Sequence, residues 1–210
     1  MIVTGANTDP YQPLLKEHRH PFSLITKASL ILRDLDLLAE MSAGQLCSVA
    51  VSVTTLDNGL KRKLEPRTAS WKSRLKTIEA LSKAGTPVTL MVAPVIPFIN
   101  DSEIRNILER GKEAGAIAAN MIYLKLPREV SPLVQEWLEL HYPDKAAHVM
   151  SLVRQSRGGK DYDSRFFLPN DRGGRDCGNY STTIQHRRQK VLAAIPTSIQ
   201  TRLQPISPRF

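Results

Sequence analysis

A chain of 210 residues, 41% hydrophobic and 23% charged, is long enough to bury one sizeable core and has the make-up of an ordinary globular protein. It holds no run of 18 or more apolar residues to span a membrane, and its start, MIVTGANTDPYQP, lacks the features of a signal peptide, so a cytoplasmic protein is expected. The net charge of +9 is lopsided: residues 1–153 hold 18 Lys and Arg against 16 Asp and Glu, while residues 154–210 hold 11 against 4.

Short β-rich runs alternate with segments of helical period, which predicts an α/β chain with a parallel sheet and helical crossovers. The strands are expected at Ile2–Thr4, Phe22–Thr26, Cys47–Val53, Val88–Val92 and Met121–Leu124. Only 17 residues separate Thr4 from Phe22, with Pro10, Pro13 and Pro21 among them. That leaves too little helix for a regular crossover, so one helix is expected to be missing. Leu32, Leu35, Leu38 and Met41 share a helical face that Gly44 ends. Cys47 opens an apolar run and is expected to be a small buried hydrophobe. Ser70 is placed to cap a helix that buries Leu75, Ile78 and Leu81 and stops at Gly85. Asn100 or Asp101 is placed to cap the next, with Ile104, Ile107 and Leu108 inward and Gly115 after it. Two further helices are predicted near Val134–His141 and Asp144–Arg154.

Residues 1–156 thus form one incomplete βα domain. From Arg157 the text has glycine pairs, a basic excess and no apolar period, so 157–210 is expected to be a mostly disordered tail. The two cysteines, Cys47 and Cys177, are 130 positions apart. That count and spacing exclude a disulfide framework or a cysteine-rich metal site.

Ligands of parallel sheets bind at the carboxyl ends of the strands. Here those ends read TGANTDPYQP, TKAS, SVTT and VAPVIPFIND. Singly, each has an ordinary explanation: Asn7, Asp9 and Pro10 as turn formers, Lys27 as a solvated cation, Ser52 and Thr54 as cross-strand partners, Pro94 and Pro97 as strand stops.

In order and together, TDPYQP, ITKASLILRDLDLL, VSVTTLD, LEPRTASWKSRL, AGTPVTLMVAPVIPFIND and VMSLVRQSRGGKDYDSRF resemble the spore photoproduct lyase-like (DNA repair photolyase-like) branch of the radical SAM proteins. The resemblance runs from about Ile2 to Phe166. It implies a partial TIM barrel of βα units with an S-adenosylmethionine pocket at the top of its strands. By position, it puts Thr8 and Asp9 near the methionine amino group and Lys27 near the methionine carboxylate. Ser52 falls toward the ribose or methionine portion, and the backbone of Ala93 against the adenine. Glu65, Arg67 and Arg74 match a family segment at the barrel mouth without individual roles.

Three departures accompany it. The family's CxxxCxxC loop, whose thiolates hold a 4Fe-4S cluster, does not occur in this sequence. The helix after DPYQP is reduced to Leu14–His20, and the text after Phe166 matches nothing in the family. Asn7 also stands where spore photoproduct lyase carries its hydrogen-donating cysteine, which implies a different reaction. The expected function is a remnant of a radical SAM protein that lacks the iron–sulfur cluster loop and is inactive alone. Two alternatives stand beside it. One is a working radical SAM enzyme with a truncated gene model. The other is a nucleic-acid-binding module using the basic tail, by salt-sensitive phosphate contacts.

Overall fold

The computed structural model describes residues 2–4, 17–127 and 129–155. Among them, five parallel strands form one open sheet in the order β1 (Ile2–Thr4), β2 (Phe22–Thr26), β3 (Cys47–Ser52), β4 (Val88–Val95) and β5 (Ala118–Tyr123). Sequential parallel order without closure is the arrangement of an incomplete βα barrel, as the alternating text predicts. The shortened first crossover lies mostly outside the described residues, and the expected tail over 157–210 lies wholly outside them. No described helix is long and apolar enough to cross a membrane.

A 3₁₀ turn (Ser29–Asp34) leads into α1 (Leu35–Ala43) between β2 and β3. Two helices, α2 (Asn58–Leu64) and α3 (Trp71–Lys83), join β3 to β4. A short 3₁₀ turn (Asp101–Glu103) and α4 (Ile104–Glu113) join β4 to β5. A helical hairpin, α5 (Val130–His141) and α6 (Pro143–Gln155), follows.

The caps explain several boundaries. The Ser70 hydroxyl accepts from the Ser73 amide at 3.2 Å. Gly85 and Gly115 take φ of +81° and +96°, a region open mainly to glycine. There the amides of Thr86 and Ala116 reach back to the carbonyls of Leu81 and Gly111, closing α3 and α4. Asn100 departs from expectation. It makes no side-chain cap, because its amide is committed to the strand-end loops described below.

Strand parity sorts the sheet into two faces. Phe22, Leu24, Cys47, Val49, Val51, Val88, Leu90 and Val92 face the helices, in one core with Leu38, Ile78, Leu81, Ile104 and Ile107. The opposite face carries Ser23, Ile25, Ser48, Ala50, Ser52, Thr89, Met91 and Ala93, mostly small or polar. A second core of Ile96, Leu126, Leu138, Ala146, Val149, Met150 and Val153 seats the α5–α6 hairpin beyond the end of β4.

Gly111 shows how tightly the first core is closed. A β-carbon there would lie 2.5 Å from Leu90 Cδ2, and Leu90 is itself 1% exposed. Gly111→Ala is therefore expected to destabilise the fold by about 1 kcal/mol. Overpacking costs roughly 1–3 kcal/mol and outweighs the helix-propensity gain of about 1 kcal/mol. Urea denaturation tests the sign, and a stabilised variant would contradict the packing account.

Candidate functional site

Parallel strands end on one edge of the sheet, so the polar residues of four distant sequence segments arrive there together. Thr26 pairs with Val51, which brings Lys27 opposite Ser52. Ser52 in turn pairs with Met91, and Ala93 lies two residues further along β4. Thr54, two residues past Ser52, keeps the same parity.

The connection after β3 carries an acid back over these ends. Asp57 caps α2, its carboxylate accepting from the Leu60 amide at 2.9 Å. The short helix stops at Glu65, which turns its side chain under the loop and is 9% exposed. One carboxylate oxygen accepts from the Lys27 ammonium and lies 3.0 Å from the Thr54 hydroxyl. The other accepts from Arg74 Nη2 at 2.6 Å.

Arg74 is 2% exposed and fully engaged. Its Nε donates to the Ala69 carbonyl at 3.0 Å, its Nη1 to the Ser52 carbonyl at 3.0 Å, and its Nη2 also to the Thr68 hydroxyl at 2.6 Å. The planar fork of arginine suits such simultaneous contacts.

The network continues to β4. The Thr54 hydroxyl lies 2.8 Å from the Ala93 carbonyl. Its single proton serves either that carbonyl or Glu65. The Ala93–Pro94 peptide is cis, and Asn100 clamps the turn after it. The buried Asn100 amide donates to the carbonyls of Thr54 and Pro94 at 2.8 and 3.0 Å, and its oxygen accepts from the Ile96 amide at 2.7 Å. Glu103 ties the other side, accepting from the Thr55 hydroxyl at 2.7 Å and the Leu56 amide at 2.6 Å.

The electrostatics of the cluster follow from its composition. Burial alone pushes the Glu65 carboxyl up, but Lys27 and Arg74 outweigh it and hold the group below its ordinary value of 4.5. Within the Lys27–Glu65–Arg74 trio, two cations against one anion leave a charge of +1. It is presented at Lys27, the more open partner at 37% exposure.

Of the residues singled out in the sequence, Lys27, Ser52, Ala93, Glu65 and Arg74 are brought together. Arg67 is exposed, and Thr8 and Asp9 lie outside the described residues. Ser52 joins the network through its carbonyl, whose partner is Arg74. Thr54 and Asn100 join it in ways the sequence did not announce. Their parity with Ser52 and their place after a proline turn were the only signals.

A model of the radical SAM superfamily matches residues 7–111. This is half of the chain and includes every residue of the cluster. The chain belongs to the radical SAM superfamily. It is 32% identical over 169 aligned positions to an uncharacterized protein of Mycobacterium tuberculosis, covering 73% of this chain and 50% of that one. An uncharacterized protein of Methanocaldococcus jannaschii is 26% identical over 155 positions, 68% of this chain and 57% of its own length. An uncharacterized protein of Acidianus two-tailed virus is 30% identical over 108 positions, 46% and 35% respectively. The chain thus spans about half the length of the first two.

Radical SAM proteins generally use S-adenosylmethionine and a 4Fe-4S cluster, and the residues fit these two groups unequally. A half-exposed lysine with surplus positive charge beside backbone groups suits the carboxylate of an amino-acid-bearing nucleoside. Among the described residues the cluster finds no matching donor set. Cys47 faces the helical core, where burial pushes its thiol up to about 11 despite the Ser42 hydroxyl. It is therefore not available as a thiolate at the strand ends. Cys177 lies outside the described residues. Among those described, no group of three His, Cys, Asp or Glu is placed to hold a metal.

Removing the central carboxylate strands the buried Arg74 charge. Glu65→Gln is expected to cost about 3–5 kcal/mol in urea denaturation at neutral pH. Because the folded-state value is depressed, the stabilisation is fully present above pH 4.5 and is lost as pH falls through the lowered value. The variant's stability should accordingly change less than the wild type's on acidification below that point. Parallel acid profiles would show that Glu65 does not carry the linkage.

Proposed function

We propose that this chain carries the S-adenosylmethionine-holding side of a radical SAM protein of the spore photoproduct lyase-like branch, and that it is inactive alone. Lys27 meets the methionine carboxylate, Ser52 lies toward the ribose or methionine portion, and the Ala93 backbone lies against the adenine. Thr8 and Asp9, outside the described residues, are assigned to the methionine amino group by the resemblance alone. The observation that carries this reading is the surplus cation at the strand ends: Lys27, held by a carboxylate that Arg74 already neutralises. All five residues lie within the stretch matched by the superfamily model.

In this superfamily an electron from the cluster cleaves the cofactor's sulfonium bond. The sequence holds two cysteines where three thiolates are needed, so no step of that chemistry is assigned to residues of this chain. What the chain does is bind and orient. The ammonium of Lys27 fixes one end of the cofactor, and backbone groups at Ala93 give the adenine a flat, polar edge. The Asn100 amide clamps that edge through the carbonyls of Thr54 and Pro94.

A second reading is a working radical SAM enzyme of which this sequence is one part. Its support is that the chain spans about half of its mycobacterial relative. Both readings put S-adenosylmethionine at the same residues and differ over the cluster. The tail on which a nucleic-acid module would depend lies outside the described residues, and that alternative gains no support from those described.

Calorimetric titration with S-adenosylmethionine tests the pocket. Weak saturable binding is expected, falling at least about tenfold in Lys27→Met through loss of a charge-assisted pair. Equal binding by both proteins would remove Lys27 from the site. Anaerobic reconstitution is expected to leave the chain colourless, without stoichiometric iron and sulfide. A stable brown protein that releases deoxyadenosine on reduction would overturn the inactive-alone reading.

A further inference from the structure

Lys27, Ser52 and Ala93 come from three strands and share no helix or turn that would fix their spacing. What they share is one clasp. Glu65 holds the Lys27 ammonium, Arg74 holds the Ser52 carbonyl, and the Thr54 hydroxyl lies between Glu65 and the Ala93 carbonyl and donates to one or the other. The ion pair that joins the two halves of the clasp is 2% and 9% exposed. It differs in kind from the pairs Lys83–Glu79 and Arg105–Glu109, which lie on single exposed helical faces and are worth little.

We infer that Glu65 and Arg74 are positioning residues for the ligand site: together they hold the Lys27 ammonium at a fixed height over the ends of β3 and β4, so that the mouth selects ligands carrying a carboxylate in addition to an adenosine. The inference rests on the reading of this mouth as an S-adenosylmethionine site and adds what sets its selectivity. A lysine side chain has four rotatable bonds, and at 37% exposure the surrounding protein does not hold it by packing. The Glu65 carboxylate does, and its own place is set by Arg74 from behind. Arg74 in turn is anchored to the end of β3 and to the loop before α3. Charge alone does not require this construction. An isolated lysine would attract a carboxylate, but from many heights, and each is a conformation to be lost on binding.

The position of Glu65 gives the idea a sharp test, since its negative charge also repels a bound carboxylate. Neutralising it mixes the two effects, whereas Glu65→Asp keeps the charge and shortens the reach by one methylene. The shorter carboxylate cannot serve Lys27 and Arg74 at once. The measurement is calorimetric binding of S-adenosylmethionine and of 5′-methylthioadenosine, which lacks the amino-acid end, to the full chain and its variants.

Glu65→Asp is expected to weaken S-adenosylmethionine about tenfold while leaving methylthioadenosine within about twofold, because only the former uses the positioned ammonium. Arg74→Lys, which keeps the charge but loses the fork, is expected to shift the same ratio in the same direction. It serves where the aspartate variant does not fold. Loss of both ligands in parallel in a folded variant would mean that the clasp only supports the fold. Unchanged selectivity in both variants would overturn the assignment, and so would a gain in S-adenosylmethionine affinity. A wild-type protein that binds neither ligand would instead remove the pocket reading on which the inference rests.

Discussion

The carboxylate of Glu65 has two oxygens, and through them it faces Lys27, Thr54, Thr68 and Arg74, which come from the ends of β2 and β3, from the connection leading into α3 and from α3 itself. Taking it out of water is costly unless each oxygen keeps a strong donor. The donors arrive only when the strands are in register, because Lys27 reaches Glu65 only from opposite Ser52. Sheet register and site geometry are thus one constraint, enforced by the same carboxylate.

The two faces of the sheet carry separate duties. Toward the helices, the strands present valine, leucine and phenylalanine in a closed core that leaves no room for even one methyl group at Gly111. Away from them they present serine, alanine and threonine, and the Ser23 and Ser48 hydroxyls meet at 2.6 Å. Cys47 falls on the closed face by parity, which makes it a core residue. That same parity puts Ser52, Ala93 and Lys27 on the open one. Stability is generated on one side and, on the proposed reading, recognition on the other, and the strand ends are where they meet.

How much of this was legible follows the physics of each segment. The strand Cys47–Ser52, whose Val49 and Val51 alternate onto the core face, was found to within one residue of the expected Cys47–Val53. Helices with a serine cap and a glycine stop, such as Trp71–Lys83, were found with their caps. β4 runs on to Val95 where Val92 had been expected. A register irregularity between Val92 and Val95 lets the pairing resume past Pro94, where Val95 meets Tyr123. β5 begins at Ala118 where Met121 had been expected, because pairing to β4 overrides the weak β propensity of Ala-Ala-Asn. The helix Asn58–Leu64 was not anticipated. Seven residues that include a glycine carry no helical period, and only the Asp57 cap marks it. Asn100 or Asp101 was expected to cap a helix, and the sequence could not reveal that the Asn100 amide serves the carbonyls of Thr54 and, near the end of β4, of Pro94. The positions of Lys27, Ser52 and Ala93 were legible from the order of six sequence words. Their connection through Glu65 and Arg74 was not, since it depends on side chains 38 and 9 residues apart meeting in space.

Stability does not explain why a charged clasp occupies this place. Replacing a buried ion pair by well-packed apolar side chains is often neutral, or stabilising by about 1–4 kcal/mol. The second core, built of Ile96, Leu138, Val149 and their neighbours, shows that this chain closes loops with apolar side chains where nothing else is required. An apolar clasp would tie the strand ends together as well. It would not leave one positive charge standing at the half-open rim, nor hold that charge opposite Ser52 and within one strand of Ala93. The feature that only the ionic version supplies is a cation at the strand ends, which is what the proposed carboxylate-bearing ligand requires.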